Sequence, residues 1–139
     1  MMTEARAEHI AYVFARLSPQ TREEMAVAGL DDETLLARFL SFAEYGETYA
    51  FLRHGRAQFI MTIGYTAGTL CTFFVAATGF FEASLRHVHE LREFMKQRVK
   101  QFGPILAMSL SPNPNAGRWF ELLGGSPIGP PEEKVYLWA

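Results

Sequence analysis

NPNAGRWFELLGG, residues 113–125, decides the fold. Asn113 is a capping residue and Pro114 is pre-set for a first turn, so a helix begins here. Trp119, Phe120, Leu122 and Leu123 give that helix an apolar, core-forming side, and the paired Gly124 and Gly125 end it. A short amphipathic helix over residues 114–123 therefore hangs between two strand-like runs. Residues 105–110 precede it. Residues 134–138 follow it, Tyr136 and Trp138 alternating with Val135 and Leu137 as an ordinary closing strand. Residues 126–131, rich in Pro and Gly, read as a linker inside the domain.

Upstream, Leu85, Val88, Leu91, Met95, Val99 and Phe102 recur every three or four residues through a long helix that ends at Gly103-Pro104. Before it, residues 48–53, 57–65 and 69–77 are rich in aromatic and β-branched side chains. The short turns between them make an antiparallel meander. The N-terminal third is helical. Ile10, Val13, Phe14 and Leu17 share one face of a helix over residues 3–17, with Thr3 available as its cap. Ser18-Pro19 starts a second helix that Gly29 stops; Arg22, Glu23 and Glu24 make it mostly solvent-facing until Met25. Asp31 or Asp32 caps a third, with Leu35, Leu36, Phe39, Leu40 and Ala43 on its apolar side. The order predicts an α+β fold, a mixed, mainly antiparallel sheet flanked by helices, in a single domain over residues 1–139.

A chain of 139 residues buries roughly two-thirds of its unfolded surface. Cys71 is the one cysteine, which rules out a disulfide framework and a thiolate metal cluster. Residues 1–47 carry 9 acids against 4 bases and residues 48–139 carry 6 against 9. That split permits self-association or an acidic ligand on the C-terminal half, and is too weak for a nucleic-acid footprint. The N-terminus shows no signal-peptide pattern. Residues 59–81 run 23 positions without a charge, long enough for a membrane span. Thr62, Gly64, Thr66, Gly68, Thr69, Thr72, Thr78 and Gly79 punctuate them, so two buried strands and no membrane span are expected. His87 and His89, two apart on a helix, point in different directions and make no metal pair. His54 in a turn and His9 at a helix edge read as surface residues, and no phosphate-loop, nucleophile-elbow or zinc spacing occurs.

The element order and NPNAGRWFELLGG together resemble the GNAT superfamily of acetyl-CoA-dependent N-acetyltransferases, whose last helix carries N-x-x-A-x-x-F-Y-x-x-x-G-F. EHIAYVFARLSPQTREEM, TFFVAAT and RWFELLGG are also similar to small GNAT-like proteins of tailed phages, of the internal virion protein A type. The resemblance implies a wedge where the strand over residues 72–77 and the strand over residues 105–110 splay apart. Acetyl-CoA or CoA would lie there, its pyrophosphate on backbone N–H groups at the start of the next helix. The implied cofactor-binding residues are Val75, Ala76, Thr78, Gly79, Asn113 and Arg118. Asn113 matches the residue at the pantetheine arm, and Arg118 could reach a phosphate; capping and solvation are their ordinary alternatives.

Four departures stand out. The family's pyrophosphate loop reads roughly Q/R-x-x-G-x-G/A, whereas residues 78–84 are TGFFEAS, with one glycine, no base, and Glu82 where phosphate would sit. Phe120 stands where the family often has a Tyr that protonates the leaving thiolate, and a phenyl ring donates no proton. No carboxylate or His lies in residues 69–77 to act as base. The family's first strand is missing or vestigial, leaving a sheet edge that a homo-oligomer could cover.

These features imply a GNAT-fold phage protein with a degenerate acetyl-CoA site, no assigned catalytic residue and no metal. It would serve virion assembly or genome ejection through phage virion or host proteins, in the host cytoplasm or the virion. The alternative is a genuine N-acetyltransferase acting on a small amine or a protein amino group. A third reading, a membrane-associated factor, rests on the uncharged stretch alone. The wedge discriminates the first two: open, it favours the enzyme; filled by Phe80 or Phe81, it excludes one.

Overall fold

The β-branched and aromatic residues in mid-chain build the sheet, because alternate side chains there are apolar on both faces. The structure, a computed structural model, describes residues 1–45, 47–80, 85–109 and 116–139. Its elements are β1 (Met2–Glu4), α1 (Ala7–Phe14), α2 (Pro19–Ala28), α3 (Asp32–Tyr45), β2 (Glu47–Arg53), β3 (Arg56–Thr66), β4 (Thr69–Ala76), α4 (Leu85–Phe102), β5 (Ile105–Met108), α5 (Ala116–Leu122), β6 (Ser126–Ile128), a 3-10 turn (Pro131–Glu133) and β7 (Val135–Trp138). They form a seven-stranded sheet in the order β1-β2-β3-β4-β5-β7-β6. Every neighbouring pair is antiparallel except β4 and β5. Parallel neighbours need a long crossover, and α4 is that crossover.

Each face of the sheet has its own core. Phe51, Phe59, Met61, Ile105 and Trp138 point to one side, against Leu91 and Met95 of α4, Phe120 of α5 and Leu123 just past its end. Ala50, Ile60, Val75 and Ala77 point to the other, against Ile10, Val13, Met25, Leu35 and Phe39 of α1 to α3. The helix entries follow local chemistry. Ser18 caps α2 by accepting from the Thr21 N–H at 3.2 Å, Pro19 opens its first turn, and Gly29 ends it at φ +68°. Of the two cap candidates for α3, Asp31 serves: its Oδ1 accepts from the Thr34 N–H at 2.7 Å. That bond holds its carboxyl below the usual carboxylate range.

Several boundaries differ from expectation, each because a sheet edge competes with local propensity. Thr3 belongs to a strand, since Met2, Thr3 and Glu4 pair with Phe51, Ala50 and Tyr49 along the open side of β2. The first strand is thus present but three residues long, and α1 begins only at Ala7. The Pro/Gly linker is an edge strand over its first half: Ser126, Pro127 and Ile128 pair with Leu137, Tyr136 and Val135. A proline is tolerated at such an edge, where one side of the ladder is unpaired. Consequently β7 lies inside the sheet, between β5 and β6. The uncharged run forms β3 and β4 and, among the described residues, no helix is long and apolar enough to cross a membrane.

Burial ranks the consequences of mutation. Ile60 is fully enclosed at the centre of β3, so Ile60→Ala is expected to cost about 2–5 kcal/mol. Val27→Ala, at a residue 59% exposed, is expected to stay within about 0.5 kcal/mol of the parent. Urea unfolding midpoints of the two variants check the ranking.

Candidate functional site

The parallel junction is where the sheet comes apart. β4 pairs with β3 along its whole length, from Thr66↔Thr69 to Phe59↔Ala76, and β5 pairs with β7 from Ile105↔Trp138 to Met108↔Val135. Between β4 and β5 there is a single rung, Cys71↔Leu106. Past it β4 runs on to Ala76 beside β3 alone, and the gap opens into a cavity of about 360 Å³. Val75, Leu106 and Ala107 form its sheet side and Phe120 reaches it from α5; Met25, Leu35 and Phe39 close it from α2 and α3. Phe80 does not fill it. Its ring belongs to the opposite core, stacked on Phe59 at 4.7 Å and edge-on to Trp119 at 5.1 Å.

The backbone along the open edge is partly engaged. The Ala77 N–H donates to the Gln58 carbonyl at 2.8 Å, so by alternation the backbone groups of Val75 also face β3. Those of Phe74 and Ala76 face the gap. Ala76 is taken: its N–H donates to Thr21 Oγ1 at 3.2 Å and its carbonyl accepts from the Ser18 N–H at 2.8 Å. Ser18 Oγ also donates to Thr21 Oγ1 at 3.1 Å. The first turn of α2 is thereby fastened to the far end of β4, and Phe74 presents its N–H and carbonyl one step nearer the bridge.

Three side chains give the cavity its chemistry. Glu24, half-buried on α2, faces the apolar walls; burial, with the charge of Glu23 adding, pushes its carboxyl up from 4.5 to about 7. An acid at that value is poised to exchange a proton near neutrality. Thr72 is buried and its Oγ1 has no hydrogen-bond partner, but by strand alternation its side chain shares the face of Leu70, Phe74 and Ala76, toward Leu91 and Met95 of α4, and not the face of Val75. Burial pushes the Cys71 thiol up as well, which keeps it protonated and a poor nucleophile. Arg38, exposed on α3, lines the mouth. Among the described residues neither Glu24 nor Arg38 forms an ion pair, and no group of His, Cys, Asp and Glu is set to hold a metal.

Of the residues marked out by the sequence, Val75, Ala76, Thr78 and Gly79 stand together at the end of β4. Val75 turns its side chain into the cavity. Thr78 is tied to the α1–α2 turn, its N–H at 2.7 Å and its Oγ1 at 3.2 Å from the Arg16 carbonyl. Gly79 takes φ +90°, a turn conformation that favours glycine. Asn113, Phe81 and Glu82 lie outside the described residues, as does the side chain of Arg118. Phe120 packs as core, parallel to Tyr136 at 4.8 Å and 5.1 Å from Phe74. Glu24 and Thr72 were not marked out. In sequence Glu24 stands with solvent-facing Arg22 and Glu23, yet Thr21, Glu24, Met25 and Ala28 recur at helical spacing and all line the cavity. That stripe was the available signal.

No protein-family model matches the chain, and no curated protein does. Solved structures match along nearly its full length. An N-acetyltransferase from Staphylococcus aureus Mu50 superposes with a TM-score of 0.65 at 10% identity, covering 99% of this chain and 96% of that one. A GNAT-family acetyltransferase from Bacillus anthracis gives 0.64 at 11% identity, covering 99% and 92%. An AtaT mutant toxin bound to the C-terminus of the antitoxin AtaR gives 0.56 at 10% identity, covering 99% and 90%. At these identities the likeness shows the fold, which is that of the GNAT acetyltransferases.

Two substitutions probe the site without any ligand. Folded Glu24 holds a proton that the unfolded chain releases between 4.5 and about 7. That contribution is complete at pH below its unfolded value and is lost as pH rises through the folded one. From about pH 5 to about pH 8 the parent is therefore expected to lose thermal stability relative to Glu24→Gln, which carries no such proton. Thr72→Val removes the unpaired hydroxyl and is expected to stabilise the protein by ~1 kcal/mol in urea unfolding.

Proposed function

We propose that this chain is an acyl-CoA-dependent N-acyltransferase that acetylates an amine held between α2, α3 and the open strands. The observation that carries the reading is the splay past Cys71↔Leu106 with Glu24 on the resulting cavity. The residues fit the acyl end of such a donor. Phe74 offers a backbone edge, and Val75, Leu106 and Ala107 an apolar lining that limits water. Ala76, Thr78 and Gly79 extend the same track along the end of β4, and the resemblance adds Asn113 and Arg118 as candidates only from the sequence. Ala76 becomes available once Thr21 gives up its bond to that N–H.

A bound acyl thioester supplies a carbonyl carbon to which an uncharged amine adds, a C–N bond forming as the C–S bond breaks. The chain's part is to make the amine neutral and keep it dry. Glu24, near 7, takes the proton from the amine nitrogen and returns it to solvent. The Phe74 N–H, on the open edge of β4, is the donor that can stabilise negative charge on the carbonyl oxygen. Phe120 gives packing and no proton, and none is required of it when the leaving group is a thiol of pKa about 8.5.

The phage resemblance carries a second proposal, virion assembly or genome ejection through virion or host proteins. Its motives were the loop at residues 78–84 and Phe120, and the open wedge favours the enzyme over it. The matched AtaT structure holds an antitoxin peptide, which is a property of that toxin.

Thiol release from acetyl-CoA, followed with a panel of primary amines, tests the reading. The expected kcat/KM rises with pH and levels off above about 7, and Glu24→Gln lowers it about 10²- to 10⁴-fold. If acetyl-CoA neither shifts the melting temperature nor loses its acyl group to any amine, the interaction proposal takes its place.

A further inference from the structure

We infer that the cavity is a binding site for a free α-amino acid with a large apolar side chain, its ammonium directed to Glu24 and its carboxylate to Arg38. The inference shares the cavity with the proposed acyl transfer and names its acceptor, but recognition itself needs no acyl donor.

Charge comes first. Among the described residues lining the cavity, Glu24 and Arg38 are the charged ones, one negative and one positive. They come from the two arms of the bend at Gly29, Glu24 from α2 and Arg38 from α3. Three other charges near this bend are committed. Arg22 makes a two-pronged pair with Asp32, at 3.2 and 3.4 Å, and Asp31 caps α3. Glu24 and Arg38 do not neutralise one another, since no ion pair joins them. A guest with one positive and one negative end answers both. Polyamines and aminoglycosides, which carry several cations, would meet a single carboxylate.

The walls come second. Met25, Leu35, Phe39, Val75, Leu106 and Phe120 leave the interior apolar, so the guest must bring an apolar body. The volume of about 360 Å³ lies at the low end of the ~300–1,000 Å³ of small-molecule sites, which suits one amino acid better than a peptide or a protein loop. Arginine is also the side chain that grips a carboxylate with two parallel N–H donors. Binding should strengthen as pH rises, because Glu24 must be ionised to hold an ammonium; Glu23 beside it, and Cys71 and Arg38 on the same cavity, are the other ionisable groups in its surroundings.

The test is calorimetry on the full chain without acetyl-CoA, using L-phenylalanine, phenethylamine and 3-phenylpropionate. L-Phenylalanine is expected to bind at least about tenfold more tightly than either analogue, each of which lacks one charge. Arg38→Met, at an exposed position, should bring L-phenylalanine down to the level of phenethylamine and leave phenethylamine unchanged. Glu24→Gln should do the reverse, with 3-phenylpropionate the unaffected ligand. Equal binding of L-phenylalanine and phenethylamine overturns the role of Arg38 and with it the amino-acid assignment. No binding of L-phenylalanine at millimolar concentration also overturns it. Binding without thiol release from acetyl-CoA sinks only the acyltransferase, whereas turnover of simple amines without preference for the zwitterion sinks only this inference.

Discussion

The site depends on how the far end of β4 is satisfied. An unpaired strand edge attracts the next strand, and β5 stands within one rung of zipping along it. The Ser18 N–H and Thr21 Oγ1 prevent that by taking the carbonyl and N–H of Ala76. With Ala76 bonded to α2, closing the gap would return little beyond the groups of Phe74, while β5 is already committed to β7 along its other side. The wedge can stay open at low cost in unmade hydrogen bonds. One helix N-terminus therefore does two jobs: it caps α2, and it holds the sheet apart.

That same fastening brings Glu24 to the cavity. Thr21 and Ser18 fix the rotation of α2 about its axis, and at helical spacing Glu24 and Met25 then face the gap together. The carboxylate is carried into apolar surroundings as a by-product of the cap. Its raised proton affinity follows from a hydrogen bond made one turn earlier.

Much of this architecture was legible in the residues. The strands of the meander, the long helix at residues 85–102 and the placement of Phe120 in the core all follow from periodicity, where burial and propensity agree. Elements at the sheet's rims were not legible. Met2 to Glu4 and Ser126 to Ile128 become strands because β2 and β7 offer unpaired edges, and no local pattern records a partner some 45 or ten residues away. The site was half legible. Resemblance located the strands that part, and Val75 lines the opening. Glu24 was hidden by charged neighbours in sequence, since Arg22 is occupied by Asp32 while Glu24 turns inward. Thr72 was hidden because a threonine in a strand is unremarkable until its hydroxyl is found buried without a partner.

Those two residues bear on whether the fold still serves chemistry. A chain selected for packing alone gains by filling its cavity and by replacing a buried, unpartnered hydroxyl with a methyl group. Thr72 differs from Val by one such atom, and Glu24 could give its place to any apolar side chain that extends Met25 and Leu35. The molecule instead keeps an acid that burial disfavours, a hydroxyl lacking a partner and a cavity of about 360 Å³ at a single parallel junction. Each is a cost in the free protein. Phe120 is the opposite case: its missing hydroxyl costs the fold nothing, because the ring stacks on Tyr136 and packs on Phe74 whether or not a donor is needed there. Costs retained beside Glu24 and Thr72 therefore weigh more than the hydroxyl absent from Phe120.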